Sequence, residues 1–148
     1  FEIMQIPLRF TIKKEWVKGP VGWFVNPLGA IGIDRNPKGS SGNRLSTVDA
    51  MVNLLNENER IAVLITPEGT RKAVKKWRTG FYQVAMKAKV PIALGYLDYE
   101  KKVAGVAKMV WPTGDYVKDM TEIIAFYRTV TPRFEHLNSV RQANFTFE

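Results

Sequence analysis

Apolar and polar residues alternate from Leu8 to Lys13, with Leu8, Phe10 and Ile12 in one register and Arg9, Thr11 and Lys13 in the other. A period of two predicts a strand with one buried face. Pro20 to about Leu28 reads as a short helical segment, and Ala30 to Asp34 as a second short strand delivering Asp34 and Arg35 at its end. The period then changes. Ser46, with Asp49 three residues on, resembles a capping box, and Val48, Met51, Val52 and Leu55 follow at helical spacing to about Asn58. Ile61 to Ile65 is a continuous apolar run, which predicts a central strand buried on both faces and ended by Thr66 and Pro67.

The second half repeats the alternation of element types. From about Thr79, Phe81, Val84, Ala85 and Ala88 mark one face of a helix, and Pro91 opens an apolar strand through Tyr96. Lys101 to Val110 reads as a strand antiparallel to it across a turn at Asp98 to Glu100. Asp115 caps a last helix in which Met120, Ile123, Ile124 and Tyr127 share a face. Beyond Pro132 no period persists, so 131–148 is expected to be an irregular tail. Strands interleaved with helices predict one α/β domain over 1–148, a sandwich with a largely parallel central sheet flanked by helices. In such sheets ligands gather beyond the carboxyl ends of the strands, where Asp34-Arg35 and Thr66 to Arg71 fall.

Composition narrows the partners. The 148 residues are 45% hydrophobic and 24% charged, as in a globular domain, and 22 Lys and Arg against 14 Asp and Glu leave a net charge of +8. That excess favours phosphorylated metabolites, anionic lipid surfaces or nucleic acid without choosing among them. The absence of cysteine removes disulfides, thiolate metal sites and a cysteine nucleophile, and the single histidine, His136, argues against a zinc site. No apolar run reaches the ~18 residues of a membrane span, and no signal peptide is visible. The chain opens on Phe1 and enters a strand pattern almost at once, which leads us to expect a domain truncated at its amino end.

The candidate chemistry lies in LITPEGTRKAVKKWRTG, Leu64 to Gly80. Glu68, Gly69, Thr70 and Arg71 combine a permissive glycine, a hydroxyl, a guanidinium able to grip phosphate oxygens and one acidic acceptor. A trap for anions alone gains nothing from Glu68, so a ligand bearing hydroxyls as well as phosphate fits better; an ordinary solvent-facing turn is the plain alternative. Lys72, Lys75, Lys76, Trp77 and Arg78 extend the motif into a basic and aromatic surface. Such a surface could funnel an anionic substrate, lie on anionic head groups, track a nucleic acid or simply be solvated. Trp16, Trp23 and Phe24 beside Lys13, Lys14 and Lys18 mix aromatic and cationic side chains as interfacial segments do, and core tryptophans do the same. Asn36 to Ser46 predicts a mobile loop. GxxxxGK[ST], GxGxxG and GxSxG are absent.

GIDR at Gly32 to Arg35, TPEGTR at Thr66 to Arg71 and VPIAL at Val90 to Leu94 together resemble, in order and rough spacing, three motifs of the glycerolipid acyltransferases, nearest to bacterial lysophosphatidic acid acyltransferases. The resemblance runs from about Ile12 to Tyr127. It implies transfer of a fatty acyl group from acyl-CoA or acyl-carrier protein, as co-substrate and with no bound cofactor or metal, to the free hydroxyl of 1-acyl-glycerol-3-phosphate at the cytoplasmic face of a membrane. It further implies that Arg35 binds the substrate phosphate, that Glu68, Gly69, Thr70 and Arg71 cradle glycerol phosphate, and that Pro91 shapes the acyl side. The partners implied are a lysophospholipid, an acyl thioester, an anionic membrane surface and acyl-carrier protein, with no nucleic acid.

One motif of that family has no counterpart in the 148 residues. The HxxxxD pair, in which a histidine acts as general base and an aspartate orients it, is expected upstream of Phe1, because His136 follows the other motifs and has Arg141, not an aspartate, five residues on. The chain as it stands is therefore expected to be inactive. Acylation of a different lipid acceptor, a non-catalytic lipid-binding relative and a basic nucleic-acid-binding module are the competing readings.

Overall fold

The structure, a computed structural model, describes residues 8–13, 23, 29–33 and 47–147. The expectations placed on Lys14, Trp16, Lys18, Phe24, the Pro20–Leu28 segment apart from Trp23, Asp34, Arg35, the Asn36–Ser46 loop and the Ser46 cap lie outside these residues. The chain divides into two compact units, Phe1–Thr66 and Pro67–Glu148.

The first unit contains three parallel strands, β1 (Leu8–Lys13), β2 (Ala30–Ile33) and β3 (Ala62–Leu64), in the order β2-β1-β3. Phe10 pairs with Ala30 and Lys13 with Ile33 on one side of β1, while Leu8 pairs with Ala62 and Phe10 with Leu64 on the other. Parallel neighbours require crossovers. Helix α1 (Thr47–Asn56) lies in the connection from β2 to β3, burying Met51 of the apolar face that helical spacing predicts.

The expectation for β3 needs correction. It occupies a margin of the described sheet, beside β1, and Leu64 is 53% exposed. A continuous apolar run says that a strand is apolar on both faces; it carries no information about which strand takes the middle, and here β1 does.

The second unit is built on a hairpin. Helix α2 (Gly80–Ala88) ends where Lys89 enters the left-handed region at φ 54, its N–H and that of Val90 meeting the carbonyls of Met86 and Ala85. Pro91 follows directly and cannot continue the helix. Strands β4 (Ile92–Asp98) and β5 (Val103–Val110) then pair antiparallel, from Ile92 with Val110 to Asp98 with Val103. Asp98 shapes the turn by accepting the Lys101 N–H at 2.9 Å. The described residues thus form two separate sheets, a parallel one in the first unit and an antiparallel one in the second.

Asp115 caps helix α3 (Tyr116–Thr129), its carboxylate accepting the Lys118 N–H at 3.0 Å. Met120, Ile123 and Ile124 are fully buried and meet Leu94 of β4 and Val110 of β5 in one core. Each such side chain contributes about 1.5–3 kcal/mol on leaving water. The tail contains two short 3-10 turns, Glu135–Leu137 and Ser139–Arg141, and it is packed: Val140 and Phe145 belong to the same core as α3. Lack of period in the tail reflects its short turns, and not a lack of buried side chains.

Candidate functional site

The loop from Pro67 to Arg78 carries the TPEGTR residues and the basic run. Its ends meet, because the Arg78 N–H donates to the Pro67 carbonyl at 3.0 Å. Gly69 turns the chain with φ +65, a left-handed conformation that side chains other than glycine disfavour. The Thr70 hydroxyl accepts the Lys72 N–H at 3.3 Å, a local turn that bends the chain again. Among the described residues the N–H groups of Gly69, Thr70 and Arg71 meet no protein acceptor, so they are open to water or a ligand.

The charges are arranged around this bend. Arg71, Lys72, Lys75, Lys76 and Arg78 are exposed, Glu68 is half-buried, and the Arg78 guanidinium lies over Gly69. Five exposed cations against one carboxylate within eleven residues give this stretch a net positive charge, and the field of exposed charges extends about one Debye length, roughly 8 Å at physiological ionic strength. Exposed guanidinium, open N–H groups and a hydroxyl together form a surface suited to an anion with neighbouring hydroxyls.

Trp77 is not part of that surface. It is 8% exposed, and its indole meets Phe81, Tyr127 and Phe145 edge-to-face at centroid distances of 6.4, 5.7 and 5.8 Å. The physical reason is the extended backbone here: Lys76 forms a parallel bridge to Thr146, and extended chain sends successive side chains to opposite sides. Lys76 and Arg78 therefore face solvent while Trp77 fills the core. Pro91 sits half-buried between α2 and β4. His136 is exposed in a 3-10 turn, with its ring 6.1 Å from that of Phe134. Trp23 is 83% exposed.

Sequence reasoning missed the groups that hold the loop. Ser139 Oγ accepts the Val74 N–H at 2.9 Å, and the Thr146 N–H donates to the Lys75 carbonyl at 2.8 Å. No local signal could have found either, since the first pairing spans 65 residues. A second buried network also escaped notice. Asp119, 3% exposed, accepts from the Tyr82 hydroxyl at 2.7 Å, the Thr113 N–H at 2.7 Å and the Thr113 hydroxyl at 2.9 Å. Burial pushes its carboxyl up, but these donors outweigh burial and hold it below the ordinary range. Burial, followed by the bond to Asp119, pushes Tyr82 up to about 12. This network ties α2 to α3 and is distant in kind from the basic loop, having no exposed charge to offer. No group of three or more His, Asp or Glu among the described residues is placed to hold a metal ion.

The described residues form a mixed α/β chain whose glycine-turned loop carries exposed cations, chemistry suited to an anionic ligand. A family model described as Acyltransferase matches residues 2–93, well over half of the chain, and the chain belongs to that family. Membership implies acyl transfer in glycerolipid synthesis, with an acyl donor and a lipid acceptor, and hence an O-acyltransferase kind. No curated protein and no solved structure matches the chain. No helix among the described residues is long and apolar enough to cross a membrane; the family is often membrane-associated.

Proposed function

We propose that the chain serves transfer of a fatty acyl group from acyl-CoA or acyl-carrier protein to the free hydroxyl of 1-acyl-glycerol-3-phosphate, at the cytoplasmic face of an anionic membrane. The observation that carries the reading is the TPEGTR bend: Gly69 at φ +65 leaves Arg71 exposed beside three open N–H groups. Arg71 and these N–H groups bind phosphate, Thr70 and Glu68 bind glycerol, Pro91 borders the acyl side, and Arg35, from GIDR, is a second phosphate ligand. Lys72, Lys75, Lys76 and Arg78 add positive charge for an anionic ligand or head group, and Lys14 is proposed to contribute to the same role. In the reaction the acceptor oxygen attacks the thioester carbonyl, an ester C–O bond forms, the C–S bond breaks, and the hydroxyl proton ends on the departing thiol.

The general base of this chemistry is not supplied by the 148 residues, since HxxxxD is absent and Arg141, five residues after His136, is paired with Glu135. The roles proposed for the residues named here are therefore those of ligand binding. The burial of Trp77 disfavours the nucleic-acid reading, because the one aromatic of the basic run is not free to stack on a base.

Calorimetric binding of short-chain lysophosphatidic acid and of the matching monoacylglycerol tests the reading. Preference for the phosphate-bearing ligand by about tenfold or more is expected from charge-assisted hydrogen bonds. Equal affinities would overturn it.

A further inference from the structure

The geometry points to a positioning element for the phosphate-binding loop in the carboxyl-terminal segment, with Ser139 as its key residue; the inference rests on the function proposed above. The outer part of the loop, Gly69 to Arg71, has no protein acceptors for its N–H groups among the described residues, whereas its inner part is held at successive points. Val74 donates to Ser139 Oγ, Lys75 accepts from Thr146, and Trp77 packs on Phe145. Ser139 is 1% exposed, so its hydroxyl acts inside the unit and not as a surface contact.

The holder is itself fixed. Asn138 Oδ1 accepts the Arg141 N–H at 3.2 Å across the 3-10 turn, and Arg128 Nε of α3 donates to the Val140 carbonyl at 3.1 Å. Arg141 returns a bond to the Arg128 carbonyl at 3.0 Å and forks onto Glu135. Val140 is buried in the core. A path of direct bonds therefore runs from α3 through this turn to the residue three positions after Arg71.

Ordering a free loop costs conformational entropy, and that cost weakens the binding of any ligand the loop must close upon. Holding Val74 and Lys75 in the unliganded protein removes part of that cost before phosphate arrives. All of these anchors lie beyond residue 93, outside the region that the family match covers.

Ser139→Ala tests the role in the intact chain. We expect affinity for short-chain lysophosphatidic acid to fall by about two- to tenfold, the worth of one buried hydrogen bond, with affinity for the matching monoacylglycerol unchanged. Hydrogen exchange at the bonded Lys72 and Val74 amides should accelerate, and Ser139→Thr, which keeps the hydroxyl, should restore both. Phe145→Leu, which leaves the hydroxyl in place but loosens Trp77, should shift phosphate affinity in the same direction. Equal weakening of both ligands, or unchanged exchange and phosphate affinity in a folded Ser139→Ala, would overturn the inference. If the native chain shows no phosphate preference while Ser139→Ala still accelerates exchange, the function proposal fails and the clamp stands.

Discussion

The guanidinium of Arg78 lies over Gly69 so closely that a Cβ on the glycine would stand 3.1 Å from Nε and 3.3 Å from Cζ. Two separate constraints thus favour glycine, this contact and the φ of +65. Arg78 is exposed and its side chain can swing aside, whereas the left-handed backbone costs a non-glycine residue about 1–2 kcal/mol wherever Arg78 goes. Gly69→Ala is expected to lower stability by about 1 kcal/mol, and by nearly the same amount in an Arg78→Ala background. Denaturant unfolding of the four proteins of that cycle measures the difference. Disappearance of the cost with Arg78→Ala would assign it to the contact.

Arg71 is exposed at the bend and serves no part of the core. Arg71→Glu should leave the melting temperature nearly unchanged and weaken phosphate-bearing acceptors by about ten- to a hundredfold, the range of charge-assisted hydrogen bonds. Neutral acceptors should change little. Parallel titrations with short-chain lysophosphatidic acid and monoacylglycerol provide the check, and equal losses for both would remove Arg71 from the phosphate site.

Trp77 and Lys72 stand five residues apart in the same basic run and have opposite environments. Trp77→Ala leaves a cavity among Phe81, Tyr127 and Phe145 and is expected to cost about 3–5 kcal/mol. Lys72→Ala should stay within about 0.5 kcal/mol, as surface substitutions do. Similar values for the two would contradict the burial of the indole.

Stability should fall at both ends of the pH range. Asp119 titrates below the ordinary aspartate value of 3.8 in the folded protein, because the bonds from Tyr82 and Thr113 overcome the upward push of burial. Asp98 is also depressed, chiefly by the Lys101 N–H, against burial and with help from Thr131 and the Lys101 ammonium. A depressed folded value means that the unfolded chain binds the proton more tightly. Their stabilisation is therefore complete above 3.8 and lost as pH drops through the lower folded values. Tyr82 has the opposite sign: raised from 10.0 to about 12, it stabilises fully below 10 and loses that contribution as pH rises toward 12. Melting temperatures across these two windows should show both declines, with Asp119→Asn flattening the acidic one and Tyr82→Phe the alkaline one.

Much of the second unit was legible before folding was considered. Asp115 caps α3, Met120, Ile123 and Ile124 are its buried face, and Lys101 to Val110 contains a strand antiparallel to β4, as local pattern predicts. These features depend on neighbours within a turn or across a short hairpin. Leu64 was misplaced because apolar composition does not report sheet order, and Trp77 because five flanking cations suggest exposure that a single alternating side chain can escape.

The order of GIDR, TPEGTR and VPIAL, the excess of positive charge and the absence of HxxxxD were all settled by the chain of letters, because each is a matter of residue type and spacing. Which residues hold the TPEGTR loop was not. Ser139 and Thr146 reach Val74 and Lys75 only after α3 and its following turns have packed, and Trp77 becomes a core residue only when Phe145 arrives beside it. Contacts that span 65 residues leave no period or motif in the sequence, since their energy depends on where two distant segments are carried by the elements between them.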